Sequence, residues 1–149
     1  MFVPSLNRSD AVFSFSESRA ASLQLRVAVY GHSFIHWAVK HAMQSGWGCD
    51  LGLGASAALE WKSKRGMILE LAVPSFRVTP PDILVVNLGG NDLMKRTGKS
   101  LILQIIQDLQ VLKDTFPSMK LIWSNMIPHT VWRADCKPGR RDRAWRDVN

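Results

Sequence analysis

Ser33 stands in Gly31-His32-Ser33, directly after the apolar run Leu25 to Tyr30 (LRVAVY), and Asn91 stands in Gly89-Gly90-Asn91-Asp92, directly after a second run, Ile83 to Leu88 (ILVVNL). A hydroxyl becomes a nucleophile when a base takes its proton, and an amide N–H steadies an oxygen on which negative charge develops. A serine on a strand-to-helix turn is exposed by the turn, and the first N–H groups of the helix, unpaired within it, point to the same place. Gly54 lets a further backbone N–H approach, because it has no side chain. Three donors around one serine suit acyl transfer. The base is the open element. His36 lies one turn from Ser33 and His32 beside it, although a neighbouring helical residue usually points along its own helix. His41 falls with Phe34, Trp37 and Ala38 on an apolar helix face and reads as a packed histidine, while His129 reads as a loop residue near the rim.

These residues need elements to hold them. Both apolar runs read as buried parallel strands, and ligands in open α/β sheets bind beyond the carboxyl ends of such strands. After the first, residues 34–45 have the spacing of a helix that Gly46 stops. Residues 49–58 (CDLGLGASAA) read as a second strand ending in a glycine turn at Gly54, and residues 59–76 as a helical or mixed segment interrupted by Pro74. Pro80-Pro81-Asp82 makes a rigid entry to the third strand. Ser100 is placed to cap a helix carrying Leu101, Ile105, Leu109, Leu112 and Phe116, and Pro117 ends it. Residues 120–126 (KLIWSNM) give a fourth strand, and residues 140–149 look like the start of a further helix. Alternating strands and helices predict a parallel sheet covered on both faces by right-handed crossovers. With no strand after that last helix, the fold is expected to be truncated, or completed by a partner.

The chain has 149 residues, 46% of them apolar, which suits one domain with a continuous core. Residues 1–24, rich in serine, read as a poorly ordered arm and residues 25–149 as the domain. The net charge of +7 is spread over short clusters (Lys62, Lys64, Arg65; Lys95, Arg96, Lys99; Arg133 to Arg146), which permits phosphate contacts without any base-reading module. Cys49 and Cys136 are far apart and lack the spacing of a zinc site, so neither a metal nor a cofactor is called for. No signal peptide or membrane-spanning run is legible, which points to the cytosol or nucleus.

In this order, Gly-x-Ser, a glycine turn and Gly-Gly-Asn-Asp resemble the SGNH (GDSL-type) hydrolase family. The stretches GHSFIHWA, VVNLGGNDL and IWSNMIPHTVWR resemble in particular the SGNH-like domains of fish transposable-element-derived proteins. The resemblance covers residues 25–149. It implies a flavodoxin-like α/β/α fold, esterase activity on a small carboxylic ester, Ser33 as nucleophile, and Ser33, Gly54 and Asn91 as the oxyanion hole. Gly31, His32, Gly89, Gly90 and Asp92 would support that site, Asp92 by holding its loop.

Two departures from the family bear on activity. His32 replaces the Asp of the family's Gly-Asp-Ser block, and the family's Asp-x-x-His occurs nowhere in these residues. The alternatives are therefore an esterase domain, which in its complete form cleaves a carboxylic ester through an acyl-enzyme, and a non-catalytic domain of the same fold that binds a ligand or nucleic acid. Taken singly, Ser33 reads as a helix cap and Asn91-Asp92 as a turn; in order and together they read as a site. Trp37, Trp61, Trp123, Trp132 and Trp145 read as core or rim packing.

Overall fold

The structure is a computed structural model that describes residues 24–67 and 76–127, together with Arg143, Trp145, Arg146 and Val148. Four parallel strands, β1 (Leu25–Gly31), β2 (Ala57–Ser63), β3 (Ile83–Asn87) and β4 (Lys120–Trp123), lie in the order β2-β1-β3-β4. Helix α1 (Ser33–Gln44) joins β1 to β2, and α2 (Gly98–Thr115) joins β3 to β4. This is the flavodoxin-like α/β order. The chain leaves β1 to one side for β2 and returns to the other for β3, so right-handed crossovers put α1 and α2 on opposite faces.

Strand periodicity decides what each face buries. Ala28, Tyr30, Leu84 and Val86 point to one side and pack with Leu101, Ile105 and Leu112 of α2 and with Phe76, whose ring meets that of Tyr30 edge-on at 5.8 Å. The i, i+4 and i+11 spacing of the three α2 residues is the apolar stripe anticipated for this helix. Trp145 and Val148, both helical, pack on the same cluster, and the Trp145 indole donates to the Met126 carbonyl at 2.7 Å.

Asp82 ties three strands at their entry. Its carboxylate accepts from Arg26 N–H at 2.7 Å, its own N–H donates to the Arg26 carbonyl, and its carbonyl accepts from Lys120 N–H. The predicted cap of α2 moves from Ser100 to Thr97, whose hydroxyl accepts from Ser100 N–H at 3.2 Å. A β-region backbone at Thr97 is the ordinary N-cap conformation, and Ser100 is already inside the helix.

The second strand is also corrected. Residues 47–52 form turns in which Gly48 (φ +71°), Leu51 (φ +54°) and Gly52 (φ +72°) all take left-handed backbone angles that a strand cannot use. The Asp50 carboxylate accepts from Gly52 N–H at 3.0 Å and fixes the bend. The strand lies later, at Ala57–Ser63, where a helical or mixed segment was expected. His41 is exposed, not packed, and Trp37 is 54% exposed beside it. Ala42 is the one residue of α1 that is fully buried. Among the described residues, no helix is long and apolar enough to cross a membrane. The expected arm lies outside the described residues except at Gln24, whose amide donates to the Gly54 carbonyl.

Candidate active site

The carboxyl edge between β1 and β3 is where the order of strands reverses, and a crevice forms where the loops diverge. Gly31 ends β1 opposite Asn87 of β3. A Cβ on Gly31 would stand 2.5 Å from the Asn87 carbonyl oxygen and 2.5 Å from Cγ1 of Ile35. Glycine is therefore required for β1 and β3 to lie at ladder distance while α1 turns back over them. After it, His32 is the N-cap of α1 and Ser33 the first helical residue. Ser33 is not a side-chain cap, since no side chain caps this helix. Its hydroxyl is partly buried at the positive end of the α1 dipole, beside N–H groups that have no partner within the helix.

His32 is 1% exposed and presents Nδ1 to the Ser33 hydroxyl at 3.5 Å, its ring tilted on that of Phe34 at 5.4 Å. The separation is at the long end for a hydrogen bond. His36 makes no hydrogen bond to Ser33; its ring stands edge-on to Trp37 at 5.6 Å. Partial burial, then the charges of Lys40 and Arg65, hold the His36 imidazole below its ordinary pKa of 6.5. His129 lies outside the described residues.

Beyond β3 the chain turns through Gly89, whose φ of +97° and 2.9 Å approach to Sδ of Met126 leave little room for a side chain. Asp92, 2% exposed, heads a short 3-10 turn; its N–H donates to the Gly89 carbonyl, and its own carbonyl accepts from Lys95 and Arg96 N–H at 2.8 Å each. These are main-chain bonds of the turn. Asn91 donates one amide N–H to the Met67 carbonyl at 2.8 Å, binding the β3 loop to the loop that leaves β2. The second N–H of that amide makes no hydrogen bond among the described residues. Lys64 N–H donates to the Gly31 carbonyl at 3.2 Å, which draws the same β2 loop towards the Ser33 turn.

Gly54 is not part of this edge. It precedes β2, next to Gln24 at the entry of β1, so it lies at the amino edge of the sheet, the length of a strand from Ser33. Gly66 is the glycine beyond the carboxyl end of β2. It has a φ of +73° and open space where a side chain would be, and the sequence reading missed it because β2 was placed too early. A residue unforeseen at this edge is Asn87, 2% exposed. Its amide donates to Ser124 Oγ at 3.1 Å and to the Asn125 carbonyl at 3.2 Å, while its own buried Oδ1 has no partner. Because the Asn125 carbonyl only accepts, the amide nitrogen must face it. Among the described residues no group of three or more His, Cys, Asp or Glu side chains is placed to hold a metal.

No protein-family model matches the sequence, and no curated protein does. Solved structures do share the fold. An acetyl esterase, in a mutant form with acetate, aligns over 81% of this chain and 69% of its own, with a TM-score of 0.58 at 16% identity. A carbohydrate esterase family 3 protein from Talaromyces cellulolyticus aligns over 84% and 70%, with a TM-score of 0.59 at 17% identity. An acetyl xylan esterase aligns over 83% and 70%, with a TM-score of 0.56 at 13% identity. This chain thus has the α/β fold on which SGNH-type esterases are built.

Proposed function

We propose that this chain is an SGNH-type esterase domain that cleaves a small carboxylic ester through an acyl-enzyme on Ser33. The observation that supports this most is the pairing of Gly31 with Asn87 at the β1/β3 switch point, from which Ser33 and the Asn91 loop follow, with the β2 loop bonded to Gly31 and to Asn91. The Ser33 oxygen bonds to the ester carbonyl carbon as its proton passes to His32 Nδ1, the imidazole in contact with it. The carbonyl oxygen, now an oxyanion, accepts from the Ser33 N–H, from the free N–H of the Asn91 amide and from a backbone N–H of the loop around Gly66. Collapse expels the alcohol, which takes the proton from the imidazolium. Water then adds to the acyl group, giving its proton to His32, and the departing Ser33 oxygen recovers that proton as the carboxylic acid leaves.

A second reading is a binding domain that keeps the fold without turnover. The 3.5 Å separation of His32 from Ser33 favours it. Fluorophosphonate labelling separates the two. An esterase is labelled at Ser33, and the Ser33→Ala and His32→Asn variants are not. A chain that unfolds cooperatively and takes up no label is a binding domain.

A further inference from the structure

Chemistry at Ser33 leaves unused a cluster on the same side of α1. Ser33, His36, Trp37 and Lys40 follow one another at i, i+3, i+4 and i+7, so they share one face of the helix. The loop after β2 adds Arg65, whose guanidinium carbon lies 5.9 Å from the centre of the Trp37 ring, and Lys40 Nζ lies 4.8 Å from it. Trp37 is 54% exposed. Among the described residues neither cation faces a carboxylate within ion-pair distance; the ion pair there is Lys62 with Glu60, 3.3 Å apart. Partial burial first, and then the charges of Lys40 and Arg65, lower the proton affinity of His36, which places both cations near it. Two like charges held over one exposed indole repel each other, and an anion placed between them relieves that repulsion.

We infer that Trp37, Lys40 and Arg65 form a recognition platform for an ester whose alcohol part is an anionic arene, the ring stacking on the indole and its acid group held by the two cations. The inference rests on the esterase reading of Ser33. Trp37 is one helical turn beyond Ser33, a rise of about 6 Å, and Lys40 about 10 Å beyond it. A para-substituted arene laid along this face puts its ester at Ser33 and its acid near Lys40 and Arg65. An acid group meeting two cations gains charge-assisted hydrogen bonds that the neutral analogue lacks.

The test is binding of 4-acetoxybenzoate and of its neutral methyl ester to the Ser33→Ala chain, followed by calorimetry or ligand-observed NMR at low salt. The acid should bind about tenfold more tightly than the methyl ester. That preference should shrink with added salt and vanish in Lys40→Gln/Arg65→Gln, whose side chains are at the surface and whose unfolding should match the parent. Trp37→Ala should weaken binding of both esters. Equal affinity for the two esters would overturn the platform. So would displacement of 4-acetoxybenzoate by a lower concentration of oligothymidylate, which would assign the patch to single-stranded nucleic acid. Since no turnover is needed, failure of the esterase reading shows separately, as absent fluorophosphonate labelling of the unmutated chain.

Discussion

Replacing Gly31 by alanine tests the packing that creates the site. The added Cβ meets two atoms at 2.5 Å, about 0.9 Å inside the 3.4 Å at which ordinary contact begins. One of them, Ile35 Cγ1, is a side-chain atom that rotates away at modest cost. The other is the Asn87 carbonyl oxygen, part of the backbone of the neighbouring strand, which moves only if β1 and β3 separate. Overpacking of this kind costs about 3 kcal/mol, the upper part of the usual range, because the obstructing atom is main chain. For a chain of this length that lowers the thermal midpoint by about 6–12 °C. Gly46 is the internal control: nothing lies within 4 Å of its added Cβ and its φ is not left-handed. Gly46→Ala should therefore be neutral or stabilise by about 0.4–1 kcal/mol through the unfolded chain. Urea unfolding of the two variants beside the parent measures both effects. A Gly31→Ala chain within about 0.5 kcal/mol of the parent would refute the register of Gly31 against Asn87, and with it the placement of Ser33 next to the β3 loop.

Gly89→Ala combines a φ of +97° with a 2.9 Å approach to a methionine sulfur; it should cost about 1–3 kcal/mol in urea unfolding, less than Gly31→Ala because the Met126 side chain can give way. Asn87→Asp replaces two donated hydrogen bonds by a buried carboxylate facing the Asn125 carbonyl, and should cost about 3 kcal/mol at neutral pH. Burial raises the folded-state pKa of that new carboxyl, so the loss should fade as pH falls towards 4; a pH-independent loss would mean that the carboxylate is not buried. His36 has a folded pKa below the 6.5 of the unfolded chain, so unfolded chains take up the proton first. Its contribution to stability is complete above pH 6.5 and is lost as pH falls through the lower folded value, a slope that His36→Gln should flatten. In an NMR titration, Arg65→Gln should raise the His36 pKa towards 6.5 by removing one of the charges that oppose its protonation.

The strands that hold the site were legible because each carries apolar residues on both faces, buried on one and half-buried on the other, in runs closed by glycine: LRVAVY before Gly31 and ILVVNL before Gly89. The α2 stripe and the order of Ser33 before Asn91 were legible for the same reason, as patterns local in sequence. What escaped depends on contacts between distant segments. Trp37 fell on an apolar period and read as core or rim packing, yet Arg65 reaches it only because β2 lies beside β1. Asn87 looked like one polar letter in a buried strand, and its role in holding Ser124 and Asn125 depends on the fourth strand. The misplacement of β2 had the largest effect. Small apolar residues at 51–55 imitate a strand, whereas the true one, Ala57–Ser63, sits at the sheet edge and carries the Glu60–Lys62 ion pair, whose alternation with Leu59 and Trp61 was the signal available. In a parallel sheet the loops before and after a strand lie at opposite edges. A strand placed a few residues too early therefore carries its glycine across the whole sheet, about 20 Å for seven residues, and that is why Gly54 lies at the amino edge while Gly66 follows the carboxyl end of β2.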